Sequence, residues 1–177
     1  MENLIKNAEK IPLSYDDFTN LVNPINHHTI EHTDIKVNNL KDFFRGDRAV
    51  IVFLPNKVHS VGHWVAFLKH RNNLTSFFDP YGLTYKELCK ILGLSPIKFL
   101  NDIHLHNTHQ LQRYRKTVNT CGRHCAVRCR FVDLNPTEYA YTIGFNRKMP
   151  VDDLITILTL MEAPKKIDLV QLLKKFR

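Results

Sequence analysis

The 177-residue chain is 44% hydrophobic and 24% charged, an ordinary globular balance that argues against disorder and suits one domain over residues 1–177. No stretch approaches the roughly 18 uncharged apolar residues of a membrane span, and the opening residues MENLIKNAEKIPLSYDDF hold neither an apolar signal core nor a small-residue cleavage site, so an intracellular protein is expected. A net charge of +8 and a pI of about 9.4 favour a polyanionic neighbour, nucleic acid first.

In chain order, Ser14 followed by Asp17 marks a short helix start. Residues 24–48 have little periodicity and read as loop. Ala49–Leu54 (AVIVFL) is a continuous β-branched run, the pattern of a strand covered on both faces. Residues 64–68 (WVAFL) and 74–78 (LTSFF) flank the polar turn Arg71-Asn72-Asn73 and read as a hairpin. The sequence Asp79-Pro80-Tyr81-Gly82 ends the second strand, because proline cannot continue a central ladder. Residues 84–92 look helical and stop at Gly93. A short strand is expected near 103–105, then loop. Helical spacing returns over 121–132, where Thr120 or Asn119 can cap, and again over 151–161 and 167–176. With no repeat or linker, this predicts an α+β domain with a central sheet flanked by helices.

Three of the four cysteines, Cys121, Cys125 and Cys129, crowd one predicted helix, which suits reduced thiols better than a disulfide framework. Cysteine nucleophiles need a thiolate, a base and donors for an oxyanion. Cys121 falls at a helix start, where unpaired N–H groups and the dipole favour a thiolate, and Gly122 leaves little bulk beside it. His63 opens the first hairpin strand and Asp79 ends the second. Antiparallel pairing therefore makes them neighbours, a base with the carboxylate that orients its ring. A zinc site from Cys121, His124, Cys125 and Cys129 is disfavoured, since all four sit on one helix and no second knuckle exists; no metal is expected. Cys125 and Cys129 are expected to pack behind the nucleophile.

Gly62-His63-Trp64, then an acid-Pro-aromatic-Gly turn at 79–82, then Asn119-Thr120-Cys121-Gly122 resembles the adenain-type cysteine proteases, which share a clan with the proteases of ubiquitin-like modifiers. The adenovirus turn reads Glu-Pro-Phe-Gly. The chain's size, the order His–Asp–Cys and the run Cys121-Gly122-Arg123-His124-Cys125 look most like the capsid-maturation proteases of virophages and Maverick-type transposons. The resemblance covers roughly residues 49–133. It implies a papain-like fold, Cys121–His63–Asp79 catalysis, and a glutamine upstream of the cysteine that completes the oxyanion hole with the cysteine N–H. Gln112 and Gln110 are both candidates, with Gln112 nearer the family spacing. It also implies that Trp64 and Gly122 border a substrate channel selecting glycine or another small residue before the scissile bond; for Trp64, core packing is the equal alternative.

On this reading the substrate is a viral capsid precursor, cleaved in the virion or in the host cytoplasm or nucleus. The enzyme is expected to be monomeric and to need no cofactor, with DNA or a peptide as a possible activator, as in adenovirus. The rivals are an isopeptidase for ubiquitin-like modifiers and a non-catalytic basic virion protein. The acid-free stretch 113–130, with Arg113, Arg115 and Lys116, and the tail residues Lys174, Lys175 and Arg177 are the expected non-specific DNA contacts.

Overall fold

A computed structural model describes residues 2–56, 62–144 and 149–161. Among them are five strands and seven α-helices. The strands β1 (His27–Glu31), β2 (Ala49–Leu54), β3 (His63–Lys69), β4 (Thr75–Phe78) and β5 (Leu105–His106) form one mixed sheet in the order 1-2-3-4-5. β1 runs parallel to β2 and β5 parallel to β4, while β2–β3 and β3–β4 are antiparallel.

The β2 run is apolar at every position because both faces are covered. Ala49 and Ile51 join Trp64, Ala66 and Phe78 in one core, closed by the helices α2 (Tyr15–Leu21), α5 (Cys121–Arg130), α6 (Pro136–Gly144) and α7 (Val151–Leu160). Val50, Val52 and Leu54 join Val65, Phe67 and Phe77 in a second core, under α3 (Leu40–Phe44) and α4 (Tyr85–Leu92). The remaining helix, α1 (Glu2–Ala8), packs against α7. The hairpin forms as expected, with Ala66 opposite Phe78 and a left-handed Asn73 in the turn. Helix α4 begins at Thr84, which makes a reciprocal capping box with Glu87, and ends at a left-handed Gly93.

Residues 24–48 are not simply loop. They contain β1, whose sequence HHTIE has no clean alternation because this edge strand is half-buried throughout. They also contain α3, one turn capped by Asn39, whose side chain accepts from the Asp42 N–H. Helix α6 also escaped the apolar period. Its start is signalled instead by Pro136 in the first turn and by reciprocal bonds between Asn135 and Glu138 at 2.8 and 2.9 Å. The helix expected over 167–176 lies outside the described residues.

Candidate active site

Helix α5 is the central device. Every residue from Cys121 to Cys129 is buried, and the helix packs on β3 with its N-terminus beside His63. Cys121 is its first residue, so its N–H has no carbonyl within the helix to bond. Gly122 is glycine for packing. A Cβ there would stand 3.1 Å from Leu13 Cβ, 3.2 Å from Trp64 Cδ1 and 3.3 Å from Phe18 Cζ. Gly122 therefore borders the core, not a substrate channel. Of the two readings of Trp64, its surroundings favour core packing. It is 3% exposed, donates from Nε1 to the Leu13 carbonyl at 3.1 Å, and lies edge-on to Tyr15 and Phe18. This packing is what allows α5 to approach β3 so closely.

His63 begins β3 and Asp79 follows β4, and the pairing brings His63 Nε2 to 2.6 Å from Asp79 Oδ1. This leaves Nδ1 for the Cys121 thiol, and the two groups lie close enough to shift each other. Burial alone would push the imidazole down. The bonds to Asp79 and Cys121 and their negative charges outweigh it and raise His63 to about 10. Burial likewise would push the Cys121 thiol up. The His63 hydrogen bond and charge, with backbone N–H groups of Trp64 and Gly122, bring it below the ordinary thiol value. Both shifts favour a thiolate–imidazolium pair over the neutral thiol and imidazole.

Asp79 is fully buried and held at three points. Its Oδ2 accepts from the Leu83 N–H at 2.9 Å. Its backbone N–H donates to Asn107 Oδ1 at 2.9 Å, and Asn107 Nδ2 donates to its carbonyl at 2.7 Å. Asn107 was not singled out in the sequence, and no motif marks it: only the docking of β5 on β4 brings it near. The 79–82 turn closes with the Gly82 N–H on the Asp79 carbonyl. Gly82 needs its left-handed φ of +77°, and a Cβ there would meet the His109 carbonyl carbon at 2.9 Å. The Pro80 carbonyl accepts from the N–H groups of both Leu111 and Gln112, so the turn fixes the segment carrying the glutamine.

Of the two glutamines, Gln112 is buried and lines the cleft with Cys121, whereas Gln110 is exposed and donates to the Gln112 carbonyl at 2.9 Å. Gln112 Nε2 donates to Tyr81 Oη at 3.1 Å and to the Val118 carbonyl at 3.2 Å. Tyr81 stacks on His63, with centroids 5.2 Å apart and planes 22° apart. These groups open on a cleft of about 430 Å³, lined also by Leu83, Ile91, Tyr114, Arg115 and Lys116.

Cys125 and Cys129 are fully buried, and burial raises both thiols, Cys129 to about 12. Cys125 Sγ donates to the Trp64 carbonyl at 3.3 Å. His124 is turned to Asp152, at 3.0 Å, and Thr120 donates its hydroxyl to the same oxygen instead of capping α5.

The expected basic surface over 113–130 is largely internal. Arg113 binds Glu9 at 2.7 Å, Asp152 at 3.0 Å and Asp153 at 2.9 Å, so it is removed from the DNA contacts. Arg123 is buried on Thr159, and Arg128 on the carbonyls of Phe131 and Leu134. Arg115 and Lys116 remain exposed beside the cleft. Lys174, Lys175 and Arg177 lie outside the described residues.

The sequence matches no protein-family model. It is similar to the uncharacterized protein V9 of Sputnik virophage, 25% identical over an alignment of 174 positions, with 88% of this chain and 98% of that protein covered. That likeness supports a viral origin and says nothing of an activity.

Proposed function

We propose that this chain is a cysteine endopeptidase of papain-like, adenain-type geometry, acting on structural protein precursors of a virus particle. The observation that carries the reading is the line Cys121–His63–Asp79. It is a thiol drawn below its ordinary value, an imidazole drawn above its own, and a buried carboxylate at 2.6 Å on the far ring nitrogen. A structural cysteine needs none of these, and Cys125, one turn along the same helix, is pushed the opposite way.

In this reading the Cys121 thiolate attacks the substrate carbonyl. His63 protonates the departing amine, then takes a proton from the water that releases the acyl group. Asp79 fixes the tautomer that leaves Nδ1 facing the sulfur. The Cys121 N–H and the Gln112 side of the cleft receive the oxyanion. The capsid substrate, the preference for a small residue before the cut and the virion setting come from the resemblance and from the virophage relative. Weak DNA contact, if made, falls to Arg115, Lys116 and the tail cations.

Incubating the purified protein with the capsid protein of its own virus tests the reading. Discrete cleavage by the wild type and none by Cys121→Ala is expected. Equal cleavage by Cys121→Ala, or an intact capsid protein with the wild type, would contradict it.

A further inference from the structure

We infer that the Tyr81 hydroxyl is the side-chain donor to the oxyanion, and that Gln112 is a positioning residue that acts through it. The inference rests on the proposed peptidase chemistry and concerns which group faces the reacting carbonyl.

The amide of Gln112 lies beside the cleft. Its Nε2 carries two hydrogens, and both are spent. One goes to the Val118 carbonyl at 3.2 Å and the other to Tyr81 Oη at 3.1 Å. A carbonyl oxygen can only accept, so Val118 fixes which end of the amide is nitrogen. That orientation holds although Gln112 Oε1 is buried with no partner, a state that ordinarily favours flipping the amide. Gln112 therefore has no free donor for a substrate oxygen while it holds Tyr81.

Tyr81 is placed differently. It accepts from Gln112, and among the described residues its own O–H donates to no protein group. The ring lies flat on His63, with centroids 5.2 Å apart, and lines the cleft that holds Cys121. Burial raises its phenol, and the nearby charges of Cys121 and then Asp79 raise it further, so it stays a protonated donor throughout the working range. A hydroxyl that accepts one hydrogen bond donates a stronger second one, because the first polarises it. The chain Val118 carbonyl, Gln112 amide, Tyr81 hydroxyl thus ends on a hydroxyl that lines the same cleft as Cys121.

The step balances without another reagent. The Cys121 sulfur forms a bond to the carbonyl carbon, and the π pair moves onto oxygen. That oxygen is held by Tyr81 O–H and the Cys121 N–H while its charge lasts. On collapse the pair returns, the C–N bond breaks, and His63 gives its proton to the amine.

The test uses Tyr81→Phe, which keeps the ring stack and loses only the hydroxyl. Hydrolysis of a fluorogenic peptide ending Gly-Gly-aminomethylcoumarin is measured alongside iodoacetamide labelling of Cys121. The expected result is kcat lower by roughly 10²-fold or more with KM little changed, and labelling of Cys121 as fast as in the wild type. Gln112→Ala should lose a similar factor, and the double variant little more than either single one. Direct donation by Gln112 predicts the reverse: removing the hydroxyl frees an Nε2 hydrogen, so Tyr81→Phe keeps or gains activity. That outcome overturns the inference and leaves the peptidase reading intact. Slower labelling of Cys121 in Tyr81→Phe also overturns it, since the hydroxyl would then be supporting the ion pair and not the oxyanion. A wild type that labels at Cys121 but hydrolyses neither this peptide nor the capsid protein overturns the peptidase reading itself.

Discussion

Asp79 presents two acceptors to two donors, His63 Nε2 on one oxygen and the Leu83 N–H on the other. Asparagine offers one acceptor and one donor in the same space. Its NH₂ must therefore oppose either the Leu83 N–H or the protonated ring nitrogen. Either placement costs the imidazolium its partner or shifts the turn that carries Tyr81 and Gly82. Asp79→Asn is expected to lower kcat/KM by roughly 10²–10⁴, with the far-UV spectrum unchanged. Activity within a factor of two of wild type would mean that the carboxylate only terminates the strand. The residue scale is also where Trp64 and Gly122 lose their expected channel role. Both face Leu13 and Phe18, and nothing in a Gly-His-Trp or Cys-Gly pair distinguishes a wall of the cleft from a wall of the core.

Helix α5 approaches the sheet closely because Gly122 has no side chain, and that makes the contact a sensitive one. Adding a methyl at Gly122 would press on Leu13, Trp64 and Phe18 at 3.1–3.3 Å. Gly122→Ala should cost about 1–3 kcal/mol of stability, read as a lower denaturation midpoint, and should slow Cys121 labelling by moving the helix start. Unchanged stability and labelling would show that the helix has room to shift. At this scale much of the architecture could be read from local pattern. The doubly covered β2, the hairpin that joins His63 to Asp79, and α4 with its Thr84 cap and Gly93 stop follow from residues close in sequence. Two of the features that local pattern does not reveal depend on distant partners. β1 is a polar edge strand defined only by its parallel register with β2, and Asn107 reaches Asp79 through the pairing of β5 with β4. The Asn135–Glu138 box and Pro136 were a legible helix start that apolar periodicity alone passes over.

Across the whole molecule, the cations of the 113–130 stretch act mainly as internal ties. Asp152 collects the Thr120 hydroxyl, His124 Nε2, and the backbone and side chain of Arg113, which also reaches Glu9 and Asp153. Helix α5, the glutamine segment and α7 thus meet at one buried carboxylate, and Arg113 extends the tie to Glu9, just past α1. Burial would raise Asp152. The His124 bond and charge, the Thr120 hydroxyl and the Arg113 N–H outweigh it and hold it at about 2. A carboxyl depressed on folding stabilises above its ordinary value and loses that contribution as pH falls through the folded one. Wild-type protein should therefore lose about 2 kcal/mol between pH 5 and 2 from this group. Asp152→Asn should be destabilised by about 3–5 kcal/mol at pH 7, because four donors are left facing an amide, and should show a flatter acid limb. An acid limb identical in both proteins would remove Asp152 as the source.

A Cys121 thiolate paired with His63 would show itself in the pH dependence of its alkylation. Iodoacetamide labelling followed by peptide mapping should find Cys121 reacting fastest of the four cysteines at pH 6, with a profile nearly flat up to pH 8. In His63→Ala that rate at pH 6 should fall by at least about tenfold, and the profile should rise with pH as an ordinary thiol does. A Cys121 no faster than Cys89 at pH 6, or a rate indifferent to His63→Ala, would contradict the account.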